Sequence, residues 1–345
     1  MKALVKYDKG PGNMEIRDLE EPTPGFGEVK IEIANTGICG SDLHIYHYDI
    51  DIPINPPVTT GHEFAGTVVE VGSGVTSCAV GDRVTSETAY SYCGECRHCR
   101  DGYYNLCNQR RTLGYWHNGA FARYTVVPGD RVHRLPESID FRAGAMLEPL
   151  ACVTHAAIDL TSITEGDWVL VTGPGAIGLL ALQTARALGA RVIVSGTSVD
   201  RERLDAAAQL GAERTIEVGT TDLEEEIKTL TDGAGVDVVL ECAGSEKAVD
   251  SGLRAIRKRG QFTQVGLFGR PVTIEFEKVC FKELKLTGSI GSKRSSWEAA
   301  IQLVADGKVR THPLISHVLP LTEWEHAFQQ FENKVGLKLM LQPVE

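Results

Sequence analysis

No apolar run in the sequence approaches the ~18–20 residues needed to cross a bilayer, which excludes a helical membrane span. Residues 1–30 lack the apolar centre of a secretory signal peptide, so a cytoplasmic location is the expectation. Positive charge is not in excess: 46 Asp and Glu against 35 Lys and Arg leave a net −11. Nucleic acid and anionic membranes both reward a basic surface, so neither is an expected partner. The chain also has no repeat of fixed period, no low-complexity tract and no block of like charge. What is there is ordinary for a globular protein: 345 residues, 42% apolar, 23% charged and 36 Gly. That length predicts two domains, and that composition excludes a disordered or collagen-like chain. The nine Cys are odd in number and clustered, which suits metal sites in a reducing compartment better than a secreted disulfide framework.

Two kinds of pattern divide the chain. Up to about residue 145 it shows short strand-like runs with Gly and Pro punctuation, at 29–33, 66–71, 82–85 and 124–127, so this stretch should be mostly β. After Pro149, strands and helices alternate. β-type runs at 169–172, 191–195, 236–241, 262–265 and 284–287 are separated by helical spacing, including 176–188 and 203–210. Such alternation implies right-handed crossovers and a doubly wound parallel sheet. The tail from about 290 holds two helix candidates, 296–306 and 322–332, then a strand at 338–341. It is expected to pack back onto the first stretch.

The first strand of the alternating region runs into Gly173-Pro174-Gly175-Ala176-Ile177-Gly178, which opens a helix. In that context a G-x-G-x-x-G run reads as a dinucleotide loop. Gly173 permits the tight turn, Gly175 lets a pyrophosphate approach the backbone, and Gly178 lets helix and strand pack closely. The helix N-terminus offers N–H groups and partial positive charge to the diphosphate. At the end of the second strand, Gly196 stands where an acid would grip both ribose hydroxyls. Thr197, Ser198 and Arg201 could instead bond a 2′-phosphate, although Asp200 lies close by. The reading leans to NADP over NAD; ordinary helix-surface charge is the other account of Arg201 and Arg203.

Cys93, Cys96, Cys99 and Cys107 form C-x2-C-x2-C-x7-C. Four thiolates on one short loop close a tetrahedral, structural Zn²⁺ site, and the x2 spacings suit a metal better than two disulfides. A second, dispersed group comprises Cys39, His62, Glu63 and Glu148. Singly, Cys39 reads as a small buried hydrophobe, His62 as a satisfied core histidine and Glu148 as a helix N-terminal acid. Together the four supply one S, one N and two O ligands, enough for an open catalytic zinc. On a regular strand His62 and Glu63 would point to opposite faces. Either Gly61 breaks the strand or only one of them ligates at a time, with Glu63 and Glu148 exchanging or Glu63 standing behind the direct ligands.

With GHEFAG, the four-Cys lobe and GPGAIG in this order, the chain resembles the zinc-containing medium-chain dehydrogenase/reductase family over its whole length. The Cys-Gly-Ser-Asp-Leu-His run at 39–44 and the Glu-Pro-Leu-Ala run at 148–151 are similar to its polyol branch (sorbitol, or L-iditol, dehydrogenase) and the related threonine dehydrogenases. The resemblance implies an α/β protein. Residues 1–150 and the tail 291–345 would form a GroES-like, mostly-β catalytic domain, and 151–290 a Rossmann domain, with the active site in the cleft between them. It implies that Cys39, His62, Glu63 and Glu148 surround a catalytic zinc, and that Ser41 and His44 relay a proton. Gly266, Leu267, Ser289, Ile290 and Gly291 match loops that contact the nicotinamide half of the cofactor. Gly196, and a longer loop to Arg203, depart from the NAD-using polyol enzymes.

The expected function is a zinc-dependent transfer of hydride between NAD(P) and a secondary alcohol, most simply a polyol or sugar. A homo-oligomer, dimer or tetramer, is expected, with 261–283 as a candidate edge for pairing across subunits. Competing readings are an L-threonine 3-dehydrogenase-like enzyme, which needs a carboxylate anchor; a zinc-free reductase, against which Cys39 with His62 argues; and a non-enzymatic zinc and nucleotide module.

Overall fold

Apolar and polar residues alternate along Glu28–Gly37: Val29, Ile31 and Ile33 are buried while Lys30 and Glu32 stay partly exposed. Such a strand packs one face on a core. It pairs antiparallel with Glu63–Val71, Tyr124–Pro128 and Lys338–Gln342. The computed structural model describes residues 1–49 and 53–343. In it the seven-stranded sheet runs Val132–Arg134, Arg83–Ser86, Glu63–Val71, Glu28–Gly37, Lys338–Gln342, Ile315–Pro320, with Tyr124–Pro128 beside the fourth of these. Phe64, Val68, Val84, Val127 and Val132 fill its interior. A second core, including Leu4, Ile38, Ile45, Phe121, Trp324 and Phe328, joins the tail to the N-terminal strands.

The chain divides into two units. One comprises Met1–Glu148, Lys293–Ile301 and the residues from Leu314 onward; the other comprises Pro149–Ser292 and Gln302–Pro313. The stretch 302–313, expected with the rest of the tail, groups with the second unit. The Gln183 side chain holds it there by accepting from Arg310 N (2.8 Å) and donating to Arg310 O (3.2 Å).

The second unit is a six-stranded parallel sheet. Numbered along the chain as Trp168–Thr172, Arg191–Gly196, Arg214–Glu217, Val236–Glu241, Ile256–Gln264 and Lys285–Gly288, its strands stand in the order 3-2-1-4-5-6. Trp168–Thr172 is buried throughout, as befits a strand covered on both faces. Leu170, Ile193, Val239 and Phe262 pack against Leu223, Ile227, Val249 and Leu253. This order puts the carboxyl ends of the first and fourth strands at the switch point where open α/β sheets bind ligands. The edge proposed for pairing across subunits needs correction. Residues 261–264 are interior, between the fourth and sixth strands, and the outer strand is Lys285–Gly288.

The first stretch also contains helices that its strand-like pattern did not reveal, among them Gly40–His47 and Phe141–Ala145. In Gly40–His47 the buried residues are Asp42, Leu43 and Ile45, which form no apolar stripe of helical period. The helix is set by its cap: the Asp42 side chain accepts from Cys39 N (2.9 Å). Among the described residues no helix is long and apolar enough to cross a membrane.

Candidate metal centre and dinucleotide site

Cys39 precedes the helix Gly40–His47, and Glu63 opens its strand immediately after His62. Gly61 takes φ +86°, and a Cβ there would lie 2.6 Å from the Phe121 ring, so the chain turns at Gly61 and the strand begins only at Glu63. The turn lets neighbouring side chains face one spot. Ligand atoms of Cys39, His62 and Glu63 all lie within 4.8 Å of one another. Glu148, in the first turn of Leu147–Thr154, is buried close enough to act electrostatically on His62, but stands outside that three-residue group.

Negative groups crowd this pocket. Asp42, fully buried, presents Oδ1 3.7 Å from His62 Nδ1, and neither atom has a hydrogen-bond partner. That leaves Nε2 as the ring nitrogen for a metal. Burial pulls the His62 pKa down, but Asp42, Cys39 and Glu148 outweigh it and push it up to about 10. Burial likewise lifts Asp42 to about 6 against the opposing pull of His62. A thiol, an imidazole and carboxylates held together in low dielectric demand a cation, and S, N and O donors are the set that Zn²⁺ takes. The residues present therefore fit the metal.

Ser41 Oγ is buried in the first turn of Gly40–His47. His44 lies further along the same helix, half-exposed, with Nδ1 2.8 Å from Asp49 Oδ1. Among the described residues no hydrogen bond joins Ser41 to His44. Tyr115 is a site residue that no motif announced. Its ring packs on His62 with centroids 5.4 Å apart. Burial, together with Cys39 and Asp42, raises its phenol well above the usual range, so it stays protonated.

The four-Cys lobe forms a second cluster in the same unit. Sγ separations are 3.5 Å for Cys96–Cys99 and Cys93–Cys107 and 3.8 Å for Cys93–Cys99, and all four thiols are free. Sulfurs at about 2.3 Å from a tetrahedral zinc stand about 3.8 Å apart, so the lobe has the dimensions of that site. Backbone N–H groups of Cys96 and Glu95 lower the Cys93 thiol to about 6.

In the second unit Gly173 takes φ +85°, and its N–H donates to Ser195 O (2.9 Å). Gly175 caps the helix Ala176–Ala187 with no side-chain bond, and the space where its Cβ would stand is open. A Cβ at Gly178 would fall on the Gly173 carbonyl, which explains the third glycine. Gly196 closes the second strand, and a Cβ on it would stand 2.9 Å from Pro174 Cγ. Asp200 turns inward, accepting from Thr197 N (3.0 Å) and Oγ1 (2.8 Å), with Arg203 3.7 Å away. Arg201 reaches Glu217 at 3.2 Å with most of its side chain in solvent.

At the same sheet edge, Glu241 is fully buried. It accepts from Thr172 Oγ1 (3.2 Å), Ala243 N (2.9 Å), Gly244 N (3.1 Å) and the Gln264 amide. Gly266 and the exposed Leu267 follow the fifth strand; Ser289 N donates to Gln264 O (2.9 Å), and Ile290 and Gly291 come next. The open backbone at Gly175, the helix N-terminus free of any side-chain cap bond and these loops fit a dinucleotide.

The chain belongs to the zinc-binding dehydrogenase family. The family's GroES-like alcohol dehydrogenase profile matches residues 25–137, and its zinc-binding dehydrogenase profile residues 176–306. The chain is 46% identical to the sorbitol dehydrogenase of Halalkalibacterium halodurans over all of both chains. It is 40% identical to the D-arabitol-phosphate dehydrogenase of Enterococcus avium, covering 99% of this chain and 97% of that one. Among solved structures it superposes on a Sinorhizobium meliloti protein bound to NADP, with TM-score 0.89 and 34% identity over 99% of each chain.

Cys99→Ser is expected to remove one of two zinc ions per chain and to lower the melting temperature. Because thiolates must shed protons to ligate, lobe zinc should be retained at neutral pH and lost as the solution is acidified. Metal analysis across a pH series checks both.

Proposed function

We propose that the protein oxidises a secondary hydroxyl of a polyol, or reduces the matching ketose, with a nicotinamide dinucleotide and a zinc ion held by Cys39, His62 and a carboxylate. The convergence of Cys39, His62 and Glu63 on one buried point carries this reading. The sorbitol and arabitol-phosphate relatives support the substrate class. When bound, the metal supplies Lewis acidity to the substrate oxygen and the dinucleotide accepts the hydride.

The chain's own residues do the rest. Asp42 gives the His62 ring an ion-pair partner on its Nδ1 side. Ser41 Oγ accepts from the substrate hydroxyl as it gives up its own proton, and His44, half-exposed further along the same helix, passes the proton on. Tyr115, kept protonated, is a hydrogen-bond donor beside the metal ligands. The threonine reading lacks support at one point. Lys338, whose ammonium is buried against Glu63, is committed to that carboxylate and does not serve as the anchor a threonine carboxylate needs.

Cys39→Ser is expected to cut kcat by about 10³-fold, the loss of several kcal/mol of Lewis-acid stabilisation. NADPH should still bind by fluorescence titration. Near-normal turnover of this variant in metal-free buffer would defeat the reading. Assays with sorbitol, xylitol, arabitol phosphate, threonine, glucose and butanediol, with each cofactor, identify the substrate; turnover of threonine alone would replace the polyol reading.

NADP is the preferred cofactor in this proposal. No acid stands at Gly196, and Asp200 is turned in on Thr197 and Arg203, which draws its charge away from an incoming 2′-phosphate. Arg201→Ala should therefore weaken NADPH binding about tenfold or more, a charge-assisted hydrogen bond's contribution, and leave NADH nearly unchanged. Equal effects on the two would remove the preference.

The protein is also proposed to be a homo-oligomer, built as a dimer through the open edge of Lys285–Gly288. Phe276, Phe281 and Leu286 lie exposed beside that edge, apolar area a second copy would cover. Phe281→Asp with Leu286→Asp should yield monomers by light scattering; an unchanged mass would place the interface elsewhere.

A further inference from the structure

Lys338 is an anomaly in its strand. Its neighbours Leu339, Met340 and Leu341 are apolar and buried, and so is the lysine, whose side chain is only 4% exposed. A buried ammonium costs several kcal/mol unless paired. Its partner is Glu63 Oε2, itself 1% exposed. The pair has room only because of Gly37, which stands opposite Glu63 in the sheet and opposite Met340 on the other side. A Cβ on Gly37 would lie 2.9 Å from Lys338 Cε and would overlap the Glu63 carboxylate. Cys39 and Glu148 also act on the lysine electrostatically, so its charge is felt across the whole ligand set.

The Glu63 carboxylate therefore faces two cation positions, the ammonium and the point shared with Cys39 and His62. We propose that Lys338 competes with the catalytic metal for Glu63 and so sets how tightly the Cys39–His62–Glu63 site holds its ion. The inference rests on the metal reading given above. The sign follows from electrostatics. With both cations present, each weakens the hold of the other on a shared carboxylate, and they repel one another in low dielectric. Removing the ammonium leaves Glu63 an uncompensated buried charge in the metal-free protein and a fully available ligand in the loaded one. Both effects move the binding equilibrium toward metal. Lys338 is thus a positioning residue: it acts on the ion through Glu63, whose charge it shares.

The test is zinc affinity, measured on the full chain by competition with a chromogenic chelator. Cys39→Ser serves to separate this site from the four-Cys lobe. Lys338→Met is expected to bind the Cys39-dependent zinc about ten- to a hundredfold more tightly, the usual scale for groups behind metal ligands. Lys338→Arg, which keeps the charge, should restore the wild-type value. The gain should vanish when Glu63→Gln is already present, because the contested charge is then gone. A merely structural lysine would lower the melting temperature without producing that dependence on Glu63. If metal-free Lys338→Met does not fold, the loaded form is followed instead, and chelator-driven zinc release should be slower than in wild type. Unchanged or weaker zinc binding in the folded variant, or a gain that persists with Glu63→Gln, overturns the inference. Wild type and Cys39→Ser holding the same number of zinc ions would overturn the metal reading itself and this inference with it.

Discussion

Buried negative charge is the constraint around which the first unit is arranged. Asp42, Glu63 and Glu148 are drawn together with the Cys39 thiol about one imidazole, and the three carboxyl groups have little access to water. Left alone, such a group would repel itself apart or take up protons. The turn at Gly61 aims two consecutive residues at one point, and the cap of Gly40–His47 sets a carboxylate behind His62. These local features make sense as the means of holding anionic donors in place for a cation. The sheet supplies the frame: Glu63 opens one strand, Gly37 closes its neighbour, and Lys338 begins the next.

The second unit meets a different requirement, the placement of backbone donors. Its sheet edge is organised by Glu241, a single buried carboxylate that ties the ends of the first, fourth and fifth strands through Thr172, the 243–244 turn and Gln264. Burial raises the pKa of this acid, and the bonds from Gln264, Gly244 and Ala243 oppose the rise. Gly173 meets the same turn from the other side, since a Cβ there would lie 2.8 Å from Ala243 Cα. The glycine loop and the 266–267 loop are thus held against common neighbours, so their spacing is a property of one hydrogen-bonded junction.

Much of this was legible in the residues because it depends on short-range spacing. The glycine loop follows a strand and opens a helix in the structure as in the sequence pattern, and the four cysteines meet at distances their x2 spacings imply. The alternation of strand and helix after Pro149 became a parallel sheet. What was not legible depends on tertiary packing. The helix Gly40–His47 has no apolar stripe to betray it, and the outer strand Lys285–Gly288 differs from an interior one only in what lies beside it. Tyr115 joins the site through a ring contact that no motif records. Lys338 did leave a trace: a charged residue heading an otherwise apolar strand asks for a buried partner, but the pattern cannot say which acid provides it.

The pairing of Glu63 with Lys338 has a consequence for the order of assembly. Cys39, His62 and Glu63 leave the ribosome early, whereas the strand carrying Lys338 emerges long after them, behind the whole of the parallel sheet. Until that strand docks beside Glu28–Gly37, the carboxylate has no rival for its charge. The ion pair therefore closes only once Lys338–Gln342 joins the sheet, which makes Glu63 depend on that strand for the charge that compensates its burial.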